Sequence, residues 1–219
     1  MKTEARRQHE LRMNGIRTFL FDMGNVLVHF SHERMCAQMG ALCGRSGPEI
    51  RGLLFDTGLQ GDFERGHVSE STFHRRLEAA VGRPVDFEAL RLAGSDIFQL
   101  NSSIVGVLDA LRGRGHRLVM LSNTSVSHYE FVRERFDLLD RFDDFVLSFR
   151  VGALKPDAAI FSAALEAIHC DPAECFYTDD IPVYVEAGRN FGLQAEVFTD
   201  TTALLEQLRA RGIALSTCS

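Results

Sequence analysis

The sequence predicts an α/β fold: a Rossmann-like parallel sheet core with an inserted helical cap. Two observations carry that expectation. Short apolar runs suited to buried strands alternate with helical periodicity over much of the chain, the pattern of a parallel sheet covered on both faces. One long interval, from about Ser31 to Gln99, breaks the rhythm with helical patterns and no convincing strand.

The first strand is Thr18–Phe21, apolar at its centre and ended by Asp22. In the interval that follows, Met35, Met39 and Leu42 share a helical face, as do Ile50, Leu53 and Leu54, and as do Phe73, Leu77 and Val81. Glycines at 44, 47, 61, 66 and 82, with Pro48 and Pro84, punctuate these stretches. A helix on Ile104, Val105, Leu108 and Leu111 leads into the strand Leu118–Leu121, and Phe145–Leu147 is the next apolar run. Ile160, Phe161, Ala164, Leu165 and Ile168 mark a further helix, followed by strands at Cys175–Tyr177 and Ala195–Phe198 and a helix on Leu204, Leu205 and Leu208. The expected organisation is therefore a flexible leader at 1–14, a core of 15–30 and 100–219, and a cap of 31–99.

At 219 residues, 45% of them hydrophobic, the chain can bury a sizeable core. A net charge of −6 without a basic cluster past the first dozen residues gives nucleic acid little to bind, so no nucleic-acid partner is expected. No apolar run reaches the roughly 20 residues of a membrane span, and Lys2 to Arg12 lacks the apolar centre of a secretory signal. Five cysteines (Cys36, Cys43, Cys170, Cys175, Cys218) without paired spacing fit reduced thiols, small buried residues plus one exposed at the tail. The expected setting is the cytoplasm.

The chemistry-bearing residues fall in four short segments: Phe19–Val26, Leu121–Thr124, Ala153–Pro156 and Phe176–Asp180. Three end strand-like runs, while Lys155 is expected to open a helix. Asp22, Ser122 with Asn123, Lys155, and Asp179 with Asp180 can thus meet at one edge of a parallel sheet, where open α/β folds place their ligands. Two adjacent aspartates resist joint ionisation, and a hard cation such as Mg²⁺, which takes carboxylate, water and phosphate oxygens, relieves that cost. Ser122 and Asn123 offer donors to a phosphoryl group, and Lys155 holds it as a point charge. A turn aspartate at 22 and a helix-capping pair at 179–180 are the bland alternatives.

In order and spacing these segments resemble the haloacid dehalogenase-like hydrolase superfamily, over about Gly15 to Ile213. The first motif resembles its Asp-x-Gly-Asn-Val phosphatases, some similar to sugar-phosphate phosphatases of the glucose-1-phosphate type. The resemblance implies Asp22 as the nucleophile that forms an aspartyl-phosphate, with Lys155 as its catalytic partner. It also implies Mg²⁺ on Asp22, the Gly24 carbonyl and Asp180, with Asp179 direct or through water. The helical interval resembles the cap over the active site of many such enzymes.

Two positions depart from the family pattern. Gly24 stands where most of the phosphatases carry a second Asp, the general acid and base, a role worth about 10²–10⁴ in rate. His29 is a candidate substitute, with surface or cap packing the plainer role. Tyr184 stands where Asn is common, and is read as a packing residue. The expected function is a Mg²⁺-dependent phosphatase of a small phosphorylated metabolite, such as a sugar phosphate. The alternatives are a 2-haloacid dehalogenase, which needs no metal, and a weakly catalytic binding or regulatory protein of the same fold.

Overall fold

The structure, a computed structural model, describes residues 15–215. The expected leader at 1–14 and the tail thiol Cys218 lie outside the described residues. β1 (Thr18–Phe21) opens the core, and the chain leaves it through β2 (Val28–Phe30). It then forms α1 (His32–Cys43), α2 (Gly47–Arg51), α3 (Leu59–Glu64), α4 (Glu70–Val81) and α5 (Phe87–Ser95), and returns through β3 (Phe98–Leu100). The remainder alternates: α6 (Ser102–Gly113), β4 (Arg117–Ser122), α7 (Val126–Arg135), β5 (Asp144–Leu147), α8 (Ser148–Val151) and α9 (Ala158–Ala167). β6 (Cys175–Asp179), α10 (Pro182–Asn190), β7 (Gln194–Val197) and α11 (Thr201–Ala210) complete it.

β1 is buried along its whole length because both of its sides face protein. Phe19 and Phe21 enter one apolar cluster with Leu118, Met120 and Phe176, and Leu20 enters another with Val119, Leu121 and Tyr177. That alternation of sides is the strand's period of two, and double coverage is why the run carries no polar face. All pairings in the sheet are parallel, in the order β5-β4-β1-β6-β7. From β1 the chain builds outward through β4 and β5, then crosses back to β6 and β7. The switch point thus lies between β1 and β6, and a crevice opens beyond their carboxyl ends.

The helices between β2 and β3 gather around an apolar cluster of their own, built on Met35, Ile50, Leu54 and Leu77. Their starts are set by short polar side chains: Ser31, Ser46, Ser69 and Asp86 each accept a backbone N–H three residues on. We propose residues 31–99 as a cap on the core. Cys36 and Cys43 join Met35 and Met39 on the buried face of α1, whereas Leu42, expected there, is 37% exposed.

β2 and β3 correct the sequence reading, which placed no strand in this region: they pair antiparallel, Phe30 opposite Phe98 and His29 opposite Gln99. α7 also went unread and α10 entered only as the helix that Asp179 and Asp180 could cap, for α7 buries Ser127 and His128 beside Tyr129 and Val132, and α10 buries only Val185 and Gly188. Neither shows an apolar stripe. No helix among the described residues is long and apolar enough to cross a membrane.

Beneath the sheet His116 packs edge-on to Phe19 at 4.9 Å, its Nδ1 buried without a partner. Burial, with Arg114 nearby, pushes this imidazole down from 6.5 to about 4. The unfolded chain therefore takes the proton first as pH falls, and stability present above pH 6.5 is lost on the way down to about 4. The expected cost is about 2 kcal/mol between pH 8 and pH 5. Urea unfolding at both pH values should show a smaller acid loss in His116→Phe than in the wild type; equal losses would refute the assignment.

Candidate active site

Asp22 directly follows β1, and its N–H donates to the Thr178 carbonyl at 3.0 Å, continuing the ladder to β6. It thereby stands beside Asp179, the last residue of β6, with Ser122, the last of β4, on its other flank. The register of three strands brings these residues together.

Lys155 joins them. Its Nζ lies 2.7 Å from Asp22 Oδ1, 2.6 Å from Asp179 Oδ2 and 3.1 Å from the Leu121 carbonyl, with the side chain 1% exposed. Contrary to expectation it does not open a helix: α9 starts at Ala158, and Lys155 sits in the turn before it. Pro156 explains the delay, because the residue before a proline is steered out of the helical region. The turn is held by Asn123, whose Oδ1 accepts the Lys155 N–H at 2.7 Å and whose Nδ2 donates to the Lys155 carbonyl at 3.1 Å. Asn123 thus grips the lysine's backbone.

Three carboxylates, Asp22, Asp179 and Asp180, each offer an oxygen within 4.8 Å of the others. Burial pushes Asp22 up to about 7, the charges of Asp179 and Asp180 adding to this and Lys155 opposing it. The two carboxylates in turn hold Lys155 protonated well above its ordinary range, against its burial. Asp179 is the most committed of the three, for Oδ2 also accepts from the Tyr177 hydroxyl at 2.6 Å and Oδ1 from the Ile181 N–H at 2.8 Å. Asp180 accepts one bond, from Asn25 Nδ2 at 2.9 Å, and burial raises it too. One ammonium against three carboxylates leaves a deficit of two positive charges, which suits a divalent cation bound by oxygens. Asp22 and Asp180 could hold it with the least rearrangement, Gly24 lying on the same cavity wall.

The cavity above this floor has a volume of about 170 Å³. Its walls include Phe30, Phe98 and Tyr184, with His32, Glu64 and His128 as further polar groups. A second cavity inside the cap measures only about 40 Å³, room for a water rather than a substrate. Three expectations change here. Ser122 Oγ is buried without a hydrogen-bond partner and is not part of the cavity wall; Asn123 and Thr124 are. His29 is exposed on β2, away from the cavity. Tyr184 is more than packing, since its ring lies 5.2 Å from Lys155 Nζ and its hydroxyl accepts from Asn123 at 3.4 Å. His32, Glu64 and Phe98 escaped the sequence reading because the cap brings them in from distant positions, and His128 because it comes from α7; Asn25 and Thr124 stood next to residues already singled out.

The profile of the haloacid dehalogenase-like hydrolases matches residues 16–192. The chain belongs to that family. Among its relatives is a D-ribitol-5-phosphate phosphatase of Bacteroides thetaiotaomicron, 26% identical over 188 residues that make up 82% of this chain and 90% of that protein. Another is a sesquiterpene phosphatase of Aspergillus oryzae, 25% identical and covering 87% of this chain and 93% of that one. In fold the hydrolase is similar to a family enzyme of B. thetaiotaomicron solved in complex with magnesium and inorganic phosphate, with a TM-score of 0.78 and 23% identity over 86% of this chain and 98% of that one.

The structure gives this hydrolase a local reason for Gly24. A Cβ there would stand 2.8 Å from the Phe30 ring, so a larger residue fits only if that ring moves aside. Asn25 takes the left-handed turn at φ 54° and sends its amide to Asp180.

Proposed function

We propose that this hydrolase is a Mg²⁺-dependent phosphatase of small phosphomonoesters, sugar or polyol phosphates among them, and that Asp22 carries the phosphoryl group as an aspartyl-phosphate. The carrying observation is the Asp22 carboxylate buried against Lys155 in a cluster two positive charges short of neutrality. Phosphatases among the relatives, and a fold neighbour solved with magnesium and phosphate, point the same way.

In this reading one Asp22 oxygen attacks phosphorus, splitting a difficult displacement into two easier ones. Lys155 keeps its proton throughout, held by Asp179, and presents positive charge to the transferring group. Asn123 fixes the turn from which Lys155 reaches the floor. Asp22, Asp180 and the Gly24 carbonyl would hold Mg²⁺, with Asp179 behind them, and the ion would offset the charge of the phosphoryl oxygens. Phe30, Phe98 and Tyr184 enclose the ester and limit its size.

The test is phosphate release from a panel of phosphorylated metabolites with Mg²⁺ and with chelator. Chelation should abolish turnover and Mg²⁺ restore it, while Asp180→Ala should raise the half-saturating Mg²⁺ concentration at least about tenfold. Activity that survives chelation, with halide released from a 2-haloacid, would turn the reading to dehalogenase chemistry.

A further inference from the structure

Position 24 carries no acid, and the Phe30 ring fills the space beside it. An alkoxide leaves phosphorus slowly unless it is protonated, so the proton source must be another group on the cavity wall. Most candidates there are committed. Lys155 is held between two carboxylates, and Asp180 belongs to the cation cluster. His128 donates Nε2–H to the Gly94 carbonyl at 3.0 Å, and burial pushes it down to about 4. The His32 ring is wedged between Phe30 and Phe55 at 4.9 and 5.0 Å, and burial lowers it as well, so both histidines are neutral. Burial raises the Tyr184 phenol, already a weak acid.

Glu64 remains, at the end of α3. Glu64 lines the same cavity as Asp22, and among the described residues its one side-chain partner is Gln60, which donates to Oε1 at 2.8 Å. Its backbone is fixed to the core: the Ser148 hydroxyl lies 2.7 Å from the Glu64 carbonyl and accepts the Thr124 N–H at 2.9 Å. Two residues on, Gly66 presses against Phe149, where a Cβ would stand under 3 Å from its carbonyl. The Glu64 backbone is thereby tied to the loop after β4. Burial also raises the Glu64 carboxyl, against the bond from Gln60 and the charge of Arg65.

Building on the phosphatase reading, we propose that Glu64 is the proton donor to the leaving oxygen and then the base that activates water, the role that Gly24 vacates. As the Asp22–phosphorus bond forms and the ester P–O bond breaks, the electron pair passes to the leaving oxygen, which takes the Glu64 proton and departs as the alcohol. Water then attacks the aspartyl-phosphate, Glu64 takes its proton back, and Asp22 leaves phosphorus as a carboxylate with inorganic phosphate as product. No other reactant is needed.

The experiment compares wild type and Glu64→Gln on phosphate esters of graded leaving-group basicity, from p-nitrophenyl through phenyl phosphate to glycerol phosphate, with Mg²⁺ present. Gln keeps the shape and the bond to Gln60. In the first turnover, which reports phosphorylation of Asp22 alone, the variant should release p-nitrophenol within about threefold of wild type and lose about 10²–10⁴-fold on the poorest leaving group that the wild type turns over, while steady-state turnover falls on every ester because hydrolysis of the aspartyl-phosphate is shared. First-turnover losses equal across the series, or no loss, would overturn the role of Glu64 while leaving the phosphatase reading intact. Failure of the wild type on every ester would instead remove the phosphatase reading, and the role with it.

Discussion

Asp22→Asn should lower hydrolysis by roughly 10⁴-fold or more while leaving the fold intact. The amide cannot attack phosphorus, yet its oxygen can still accept from Lys155, as Asp22 Oδ1 does at 2.7 Å. Burial disfavours the charge that the substitution removes, since it raises Asp22 to about 7, so thermal stability should hold or rise. Phosphate release and a melting curve on the same sample check both halves. Residual turnover near the wild-type level would end the covalent mechanism.

Lys155→Met should damage stability and activity together. The ammonium is 1% exposed and is shared by Asp22 and Asp179, themselves 9% and 0% exposed, so its loss leaves buried carboxylates facing one another. Breaking a buried pair in this way costs about 3–5 kcal/mol. For a chain of this size that is a fall of about 6–20 °C in melting temperature. Mg²⁺ should recover more of that fall in the variant than it adds to the wild type, because the cluster is then three charges short rather than two. A fall of under about 1 kcal/mol, indifferent to Mg²⁺, would show that the carboxylates are neutral in the folded protein and that the charge argument is wrong.

Legibility followed the range of the interactions. The buried strands were readable, since Phe19–Phe21 and Leu118–Leu121 face protein on both sides and need no partner to reveal them. Asp22, Asp179 and Asp180 were singled out as strand-end residues, and the parallel register brings them to one floor. What was not legible depends on contacts made far along the chain. Phe30 and Phe98 become a ladder only when they meet, and three residues are too few for a period. The cavity side of Glu64 and the exposed side of His29 are decided by how α3 and β2 dock, which no local pattern encodes. Lys155 was assigned to a helix because the apolar period that follows it is strong, but Pro156 holds the lysine ahead of α9.

The ladder between β2 and β3 has a consequence for engineering. Departure from the core and return to it are hydrogen-bonded neighbours, with Phe30 opposite Phe98, so everything between them is threaded through a single doorway. A two-residue turn joining those strands would close an ordinary hairpin. The proposed cap is thus laid out as a cassette: none of the five strands of the parallel sheet comes from it, so its excision or exchange leaves their order unaltered. Glu64 travels with the insert, so a recombined pair would report at once whether the insert chooses the ester and whether it brings the proton donor with it.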